Sequence, residues 1–172
     1  MELSKYIACI CEGAAEEAIM NVLLENDKLI FTSDNLLEGE IIRCRSAKSF
    51  QQRYLRKGFT EGITILRILD SRREIFKLDK TYINKVKVIN IITAPEIEML
   101  VIFNEGKYNQ YKKSKKKPSD FCIEDLGYRS VKSKSFINDY FSNVDKLIEA
   151  IKEYRRVSNL EKGEFCLLDL LK

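Results

Sequence analysis

The feature that most constrains this chain is a set of short apolar runs separated by helical patterns. "YIACIC" (Tyr6–Cys11), "ITILRILD" (Ile63–Asp70) and "KVINII" (Lys87–Ile92) are nearly continuous in apolar residues. Runs of this length read as strands buried on both faces rather than as strands with one wet side. "EGEIIRCR" (Glu38–Arg45) reads as a further strand. Between these, Ala15, Ala18, Ile19, Val22 and Leu23 recur at helical spacing, with Glu16, Glu17, Asn21 and Glu25 on a solvated side. Ser46–Lys57, "SAKSFQQRYLRK", predicts a basic helix stopped by Gly58. Thr93-Ala94-Pro95 predicts a helix start, with Glu96 and Glu98 in the first turn and Ile97, Leu100, Val101 and Phe103 inward. Strands alternating with helices imply parallel pairing. The expected fold is therefore α/β, a mainly parallel, Rossmann-like sheet with helices on both faces.

Further along, Phe136, Tyr140, Phe141, Val144, Leu147, Ile148, Ile151 and Tyr154 predict one or two additional C-terminal helices. "YNQYKKSKKKPSD" (Tyr108–Asp120) reads as a loop or a frayed helix end, and "EFCLLDLL" fits strand and helix equally. At 172 residues and 45% hydrophobic, the chain suits one domain with a real core: residues 6–103 as its centre and 104–172 as a helical extension. No apolar window is long enough to predict a membrane helix, and no secretory signal is expected, so a cytoplasmic location follows. The five cysteines are irregularly spaced and read as reduced, mostly buried thiols, with Cys9 and Cys11 expected on opposite strand faces. Histidine is absent. That excludes Ser-His-Asp and Cys-His catalysis and His-ligated zinc, and leaves carboxylates, Lys, Tyr, Cys or metal-bound water as acids and bases.

In parallel α/β sheets, ligands bind outside the carboxyl ends of the strands. Three predicted strands run into acids there: Glu12 after the first, Asp70 after the third, Glu96 and Glu98 after the fourth. Carboxylates gathered at one edge repel unless a cation separates them, and hard oxygen ligands suit Mg²⁺ or Mn²⁺. The same acids also serve helix starts, where the macrodipole favours them. Arg43 and Arg45 share a strand face, Arg53 and Arg56 follow on the basic helix, and Arg67, Arg72 and Arg73 surround Asp70. Carboxylates beside arginines suit phosphodiester chemistry; structural ion pairs, such as Arg72 or Arg73 with Glu98, use the same residues. The net charge of +4 does not itself imply nucleic acid. Lys115, Lys116 and Lys117, in a lysine run flanked by Tyr108 and Tyr111, could follow a nucleic-acid backbone or form a solvated loop.

Glu12-Gly13 after the first strand, with Glu16 and Glu17 in an "EGxxE" position, and Asp70 after the third resemble the toprim domain of topoisomerases, primases, OLD-type nucleases and small bacterial defence nucleases. "PEIEMLVIF" (Pro95–Phe103) is similar to a helix of one defence-associated toprim group, with Glu98 in its Glu position. The resemblance covers about residues 6–103. It implies a nuclease or related phosphotransfer enzyme dependent on Mg²⁺ or Mn²⁺, acting on DNA or RNA, in phage defence or on a mobile element. Glu12, Asp70 and Glu98 would be its catalytic and metal-binding residues. In "DSR", Arg72 stands where the toprim pattern has a second Asp; either Glu74 or Glu98 supplies the missing carboxylate, or the site binds metal weakly or not at all. The alternative is a non-catalytic nucleic-acid- or protein-binding module in which Arg72 replaces the metal by an internal ion pair. Similar sequences are also labelled N-6 DNA methylases. That chemistry needs an Asn/Asp-Pro-Pro-aromatic motif, and the two prolines here, Pro95 and Pro118, are far apart.

Overall fold

A computed structural model describes residues 1–56 and 58–172. Strands β1 (Tyr6–Cys11), β2 (Ile42–Arg43), β3 (Ile63–Leu69) and β4 (Val86–Ile92) form one sheet in the order β2-β1-β3-β4. Every pair is parallel, with Cys11 opposite Arg43 and Ile68, and Leu69 opposite Ile92. All four carboxyl ends therefore emerge at one edge. Helices cover both faces, as the alternating pattern predicts.

The two faces are covered unequally. On the larger side, Cys9 and Cys11 of β1, Leu66 and Ile68 of β3, and Ile89 and Ile91 of β4 meet α1 (Ala14–Glu25) and most later helices. Cys9 and Cys11 share this face rather than opposing ones, because residues two apart on a strand point the same way. The smaller side buries Ala8, Ile10, Ile63 and Ile65 under Phe50 and Leu55 of a short helix and under Leu78 of the β3–β4 connection. The core on the larger side also includes Phe121, Phe141, Ile151 and Leu170, so residues 104–172 pack directly against the sheet layer.

Several elements differ from expectation at their boundaries. β2 is confined to Ile42–Arg43: Glu38 and Gly39 turn the chain at positive φ just before it. The basic segment begins as α2 (Ala47–Phe50), capped by Ser46 Oγ accepting the Ser49 N–H at 3.0 Å, then widens into a π-helical turn over Gln51–Leu55. The predicted end of that helix at Lys57 lies outside the described residues. α3 (Met99–Asn104) starts later than Pro95 suggests. Thr93 is tied to the Leu69 carbonyl through its N–H and its Oγ1, and turns accepted by the Glu96 and Ile97 carbonyls carry the chain to Met99.

The lysine run combines a helix end with a short loop. It ends α4 (Tyr108–Ser114), passes Lys115 at φ 58°, and reaches α5 (Pro118–Glu124) at Lys117. The late apolar pattern resolves into α6 (Lys134–Tyr140) and α7 (Val144–Val157). The tail is a composite: Phe165 bridges to Ile91, a 3₁₀ turn spans Leu167–Leu170, and Leu171 bridges to Leu29. Among the described residues no helix is long and apolar enough to cross a membrane.

Shared packing makes the C-terminal helices part of the sheet's own stability. Phe141 is fully buried against this core. Phe141→Ala should lower the unfolding free energy of the whole chain by about 3–5 kcal/mol in a single transition. Chemical denaturation followed by far-UV circular dichroism would show it. A separate early transition that spares the sheet would contradict the shared core.

Candidate functional site

Glu12, Asp70 and Glu98 line one cavity of about 200 Å³ at the carboxyl edge of the sheet. Glu12 directly follows β1, and Asp70 directly follows β3. Glu98 is the N-cap residue of α3 and is buried, 3% exposed. The remaining wall includes Glu16, Arg45 and Lys132. Glu16 is thus part of the cavity, not of a solvated helix face. Its carboxylate folds back over the helix start, where a β-carbon on Gly13 would clash with Glu16 Oε2. Glycine at position 13 leaves that space open. Glu17 turns away to Arg43 at 3.6 Å and Lys134 at 3.4 Å.

Beside this cavity lies a charge buried inside the sheet. Arg67, in the middle of β3, is 2% exposed. One of its nitrogens, Nη2, donates to Glu12 Oε1 at 3.3 Å and to Glu74 Oε2 at 3.1 Å. Its guanidinium lies 4.6 Å from the Phe76 ring centre. The signal was present in "ITILRIL": a charge inside a continuous apolar strand is buried on both sides and must find partners. Lys132 carried no such signal, since it arrives from the distant α5–α6 connection, pairing with Glu96 at 3.5 Å.

The other expected residues are dispersed. Glu74 is held by Arg67 rather than on the cavity wall. Arg72 does not lodge among the carboxylates. Its Nε donates to Glu164 at 2.7 Å and its Nη2 to the Asn159 carbonyl at 3.0 Å, which draws it to the C-terminal segment. Arg73 is exposed, and its backbone N–H donates to Ser71 Oγ at 3.2 Å. Arg45 Nε donates to the Glu12 carbonyl at 3.4 Å and stays at the cavity. Arg53 stacks over Tyr54, and Arg56 borders a different cavity. Lys116 pairs with Glu124 and Asp125, while Lys115 and Lys117 are exposed. Glu96, expected beside Glu98, instead accepts the Ser119 N–H at 2.8 Å and so ties α5 down.

Burial pushes the Glu98 carboxyl up to about 7; Glu96 and Glu16 add to the rise, while its own backbone N–H and Lys132 oppose it. Burial, with the neighbouring Glu74 carboxyl and Asp70, likewise raises Glu12 to about 7, and the pull of Arg67 only moderates this. Glu16 is raised mainly by burial, with Asp70 adding. Burial works against the charge on Lys132, but Glu98 and Glu96 outweigh it and raise its pKa. Cys122 and Cys11 are not poised nucleophiles: burial pushes Cys122 up to about 12 and Cys11 well above its ordinary value. The cavity is therefore acidic with a basic rim, and part of its carboxyl population holds protons near neutrality. Among the described residues, no three potential ligands are close enough to grip one metal ion as they stand.

Compared with known protein families, curated proteins and solved structures, the chain matches none.

A carboxyl that holds its proton more tightly when folded stabilises the protein below its unfolded value. That contribution is lost as pH rises through the folded value. For Glu98 the window runs from 4.5 to about 7. Glu98→Gln should therefore flatten the loss of stability across this window and, at pH 8, raise stability by about 1–3 kcal/mol. Urea denaturation at pH 4 and pH 8 reads both effects. A variant less stable than wild type at pH 8 would show that ionised Glu98 is a structural partner.

Proposed function

We propose that the cavity is a divalent-cation-dependent site for phosphodiester cleavage or related phosphotransfer on DNA or RNA, the toprim-like activity implied by its motifs. The supporting observation is that Glu12, Asp70 and Glu98, far apart in the chain, line one cavity together with Arg45 and Lys132. The donor set is hard oxygen throughout, which fits Mg²⁺ or Mn²⁺. Glu12, Asp70 and Glu98 would hold the ion after side-chain rotation, since they are not gathered around one point as they stand. When bound, such an ion polarises a phosphoryl oxygen and activates water.

The chain's own residues supply the rest. Arg45 and Lys132 attract and orient the phosphate at the rim. Glu98, partly protonated near neutrality, gives up its proton as the ion is taken up, so binding strengthens with rising pH. Gly13 leaves room for the Glu16 carboxylate on the wall.

A second reading is favoured by Arg67. Its guanidinium already supplies, at Glu12 and Glu74, the positive charge that a metal ion would bring. On that reading the protein is a non-catalytic module that binds nucleic acid or protein.

Titrating Mg²⁺ or Mn²⁺ while following the melt separates the two. Under the enzyme reading, metal at ten times Kd stabilises the chain by about 1.4 kcal/mol. Labelled single-stranded DNA, duplex DNA or RNA is cut, and Asp70→Asn and Glu98→Gln abolish both effects. Nucleic-acid binding without a metal-dependent melt or cleavage leaves the binding module.

A further inference from the structure

The connection from β3 to β4, residues 71–85, crosses the smaller face without helix or strand. It is pinned there. Phe76 packs on Phe50 with ring centres 6.1 Å apart, Leu78 is buried, and the Asp79 N–H donates to Gln51 Oε1 at 2.5 Å. Between this strap and the α2 segment lies a cavity of about 270 Å³, separate from the acidic one. Its charged lining is Lys48 and Arg56 from one side and Lys77 and Asp79 from the other. The charge balance on the wall is three cations against one carboxylate. Among the described residues, none of the three cations has an ion-pair partner within 4.0 Å.

The neutral lining points the same way. Gln51 and Tyr82 contribute polar side chains to the wall. The Gln51 oxygen accepts the strap N–H, and its NH₂ group adds donors for the cavity. The wall is built on the π-helical turn Gln51–Leu55. Such turns are rare, and they occur often at functional sites because they displace side chains from ordinary helical spacing. Three unpaired cations converging on one cavity repel each other, and a multivalent anion relieves that repulsion. A fork of guanidinium donors beside ammonium groups suits phosphate oxygens in particular.

We propose that this cavity is a phosphate-binding pocket, and that the phosphate it takes belongs to a nucleic-acid backbone. The backbone assignment rests on the reading of the acidic cavity as a nucleic-acid site; the pocket's preference for phosphate does not. Lys48, Arg56 and Lys77 hold the phosphate, and Gln51 and Tyr82 bond its oxygens. A strand held here lies along the α2 segment that begins just after Arg45, itself at the rim of the acidic cavity. The pocket positions the polymer and takes no part in chemistry.

The test uses the full chain in EDTA, so that it does not depend on metal or cleavage. Inorganic phosphate and adenosine monophosphate are titrated in while backbone amide resonances are followed by NMR. Saturable shifts are expected at Gln51–Leu55 and Lys77–Asp79, and are expected to vanish in the variant Lys48→Gln/Arg56→Gln/Lys77→Gln. All three side chains belong to exposed residues, and an unchanged melt confirms that the variant is folded. Fluorescence anisotropy with labelled oligonucleotides then identifies the source of the phosphate. The plot of log K against log salt should flatten in the variant by about 0.7 for a single strand or about 0.9 for a duplex, one phosphate's worth. Absence of shifts at these amides with either small phosphate overturns the pocket. Shifts with the small phosphates but an unchanged salt slope overturn the backbone assignment and identify a free phosphorylated ligand. Phosphate binding that persists while metal-dependent cleavage is never seen counts against the acidic cavity alone.

Discussion

Parallel pairing is the constraint on which the rest of this molecule depends. β1 lies between β2 and β3, and β3 between β1 and β4, all running the same way. Each strand must be re-entered from the opposite edge, so every connection crosses a face of the sheet. The crossing through α1, joined by the helices that follow β4, builds the larger core, and those through α2 and the 71–85 strap build the smaller one. Central strands enclosed in this way have almost no contact with water along their length; every residue of β3 is buried. Polar chemistry is concentrated where these strands end, which is why residues far apart in the chain meet at one cavity.

Arg67 is the exception, and it links the cavity to the strap. A guanidinium buried in a central strand costs several kcal/mol unless it is neutralised. Glu12 does this from the end of β1, Glu74 does it from the strap, and the Phe76 ring adds a cation–π contact. Its Nη1 is buried without a hydrogen-bond partner among the described residues. The acid at the Glu12-Gly13 junction thus meets two demands: it walls the cavity and it is a counter-ion for the strand beneath. Anything that draws Glu12 toward the cavity weakens its hold on Arg67 and leaves Glu74 to carry more of that charge.

The parallel sheet was legible in the sequence because strands buried on both faces leave a continuous apolar trace. β2 was overextended because an edge strand with one partner has no such trace, and the positive-φ turn at Glu38 and Gly39 is indistinguishable from a strand start by composition. The convergence of Glu12, Asp70 and Glu98 followed from strand direction alone. Arg72 did not follow, because adjacency to Asp70 in sequence says nothing about which distant partner captures a long side chain; Glu164 does. Lys132 was invisible for the same reason. Arg67 is visible as a charge within an apolar run, but its nearness to Asp70 in sequence hides that it is buried. Helical spacing places Glu16 outward, whereas its carboxylate curls back over a glycine.

The ends of the sheet also bear on how the molecule behaves in crowded solution. An open strand edge is a template for pairing with another chain. On one side β2 offers only two residues, and β1 beyond it is bridged at Ile7 by Leu36. On the other, Phe165 pairs beside Ile91, and its carbonyl accepts the Ile92 N–H at 2.7 Å, while Lys87 projects a charge tethered to the Glu2 carbonyl. One margin is partly covered by β2 and Leu36, and the other is partly covered and carries a charge. A β-rich centre this apolar is thereby guarded against growing by strand addition, and the composite tail that looked indeterminate as sequence supplies half of that protection.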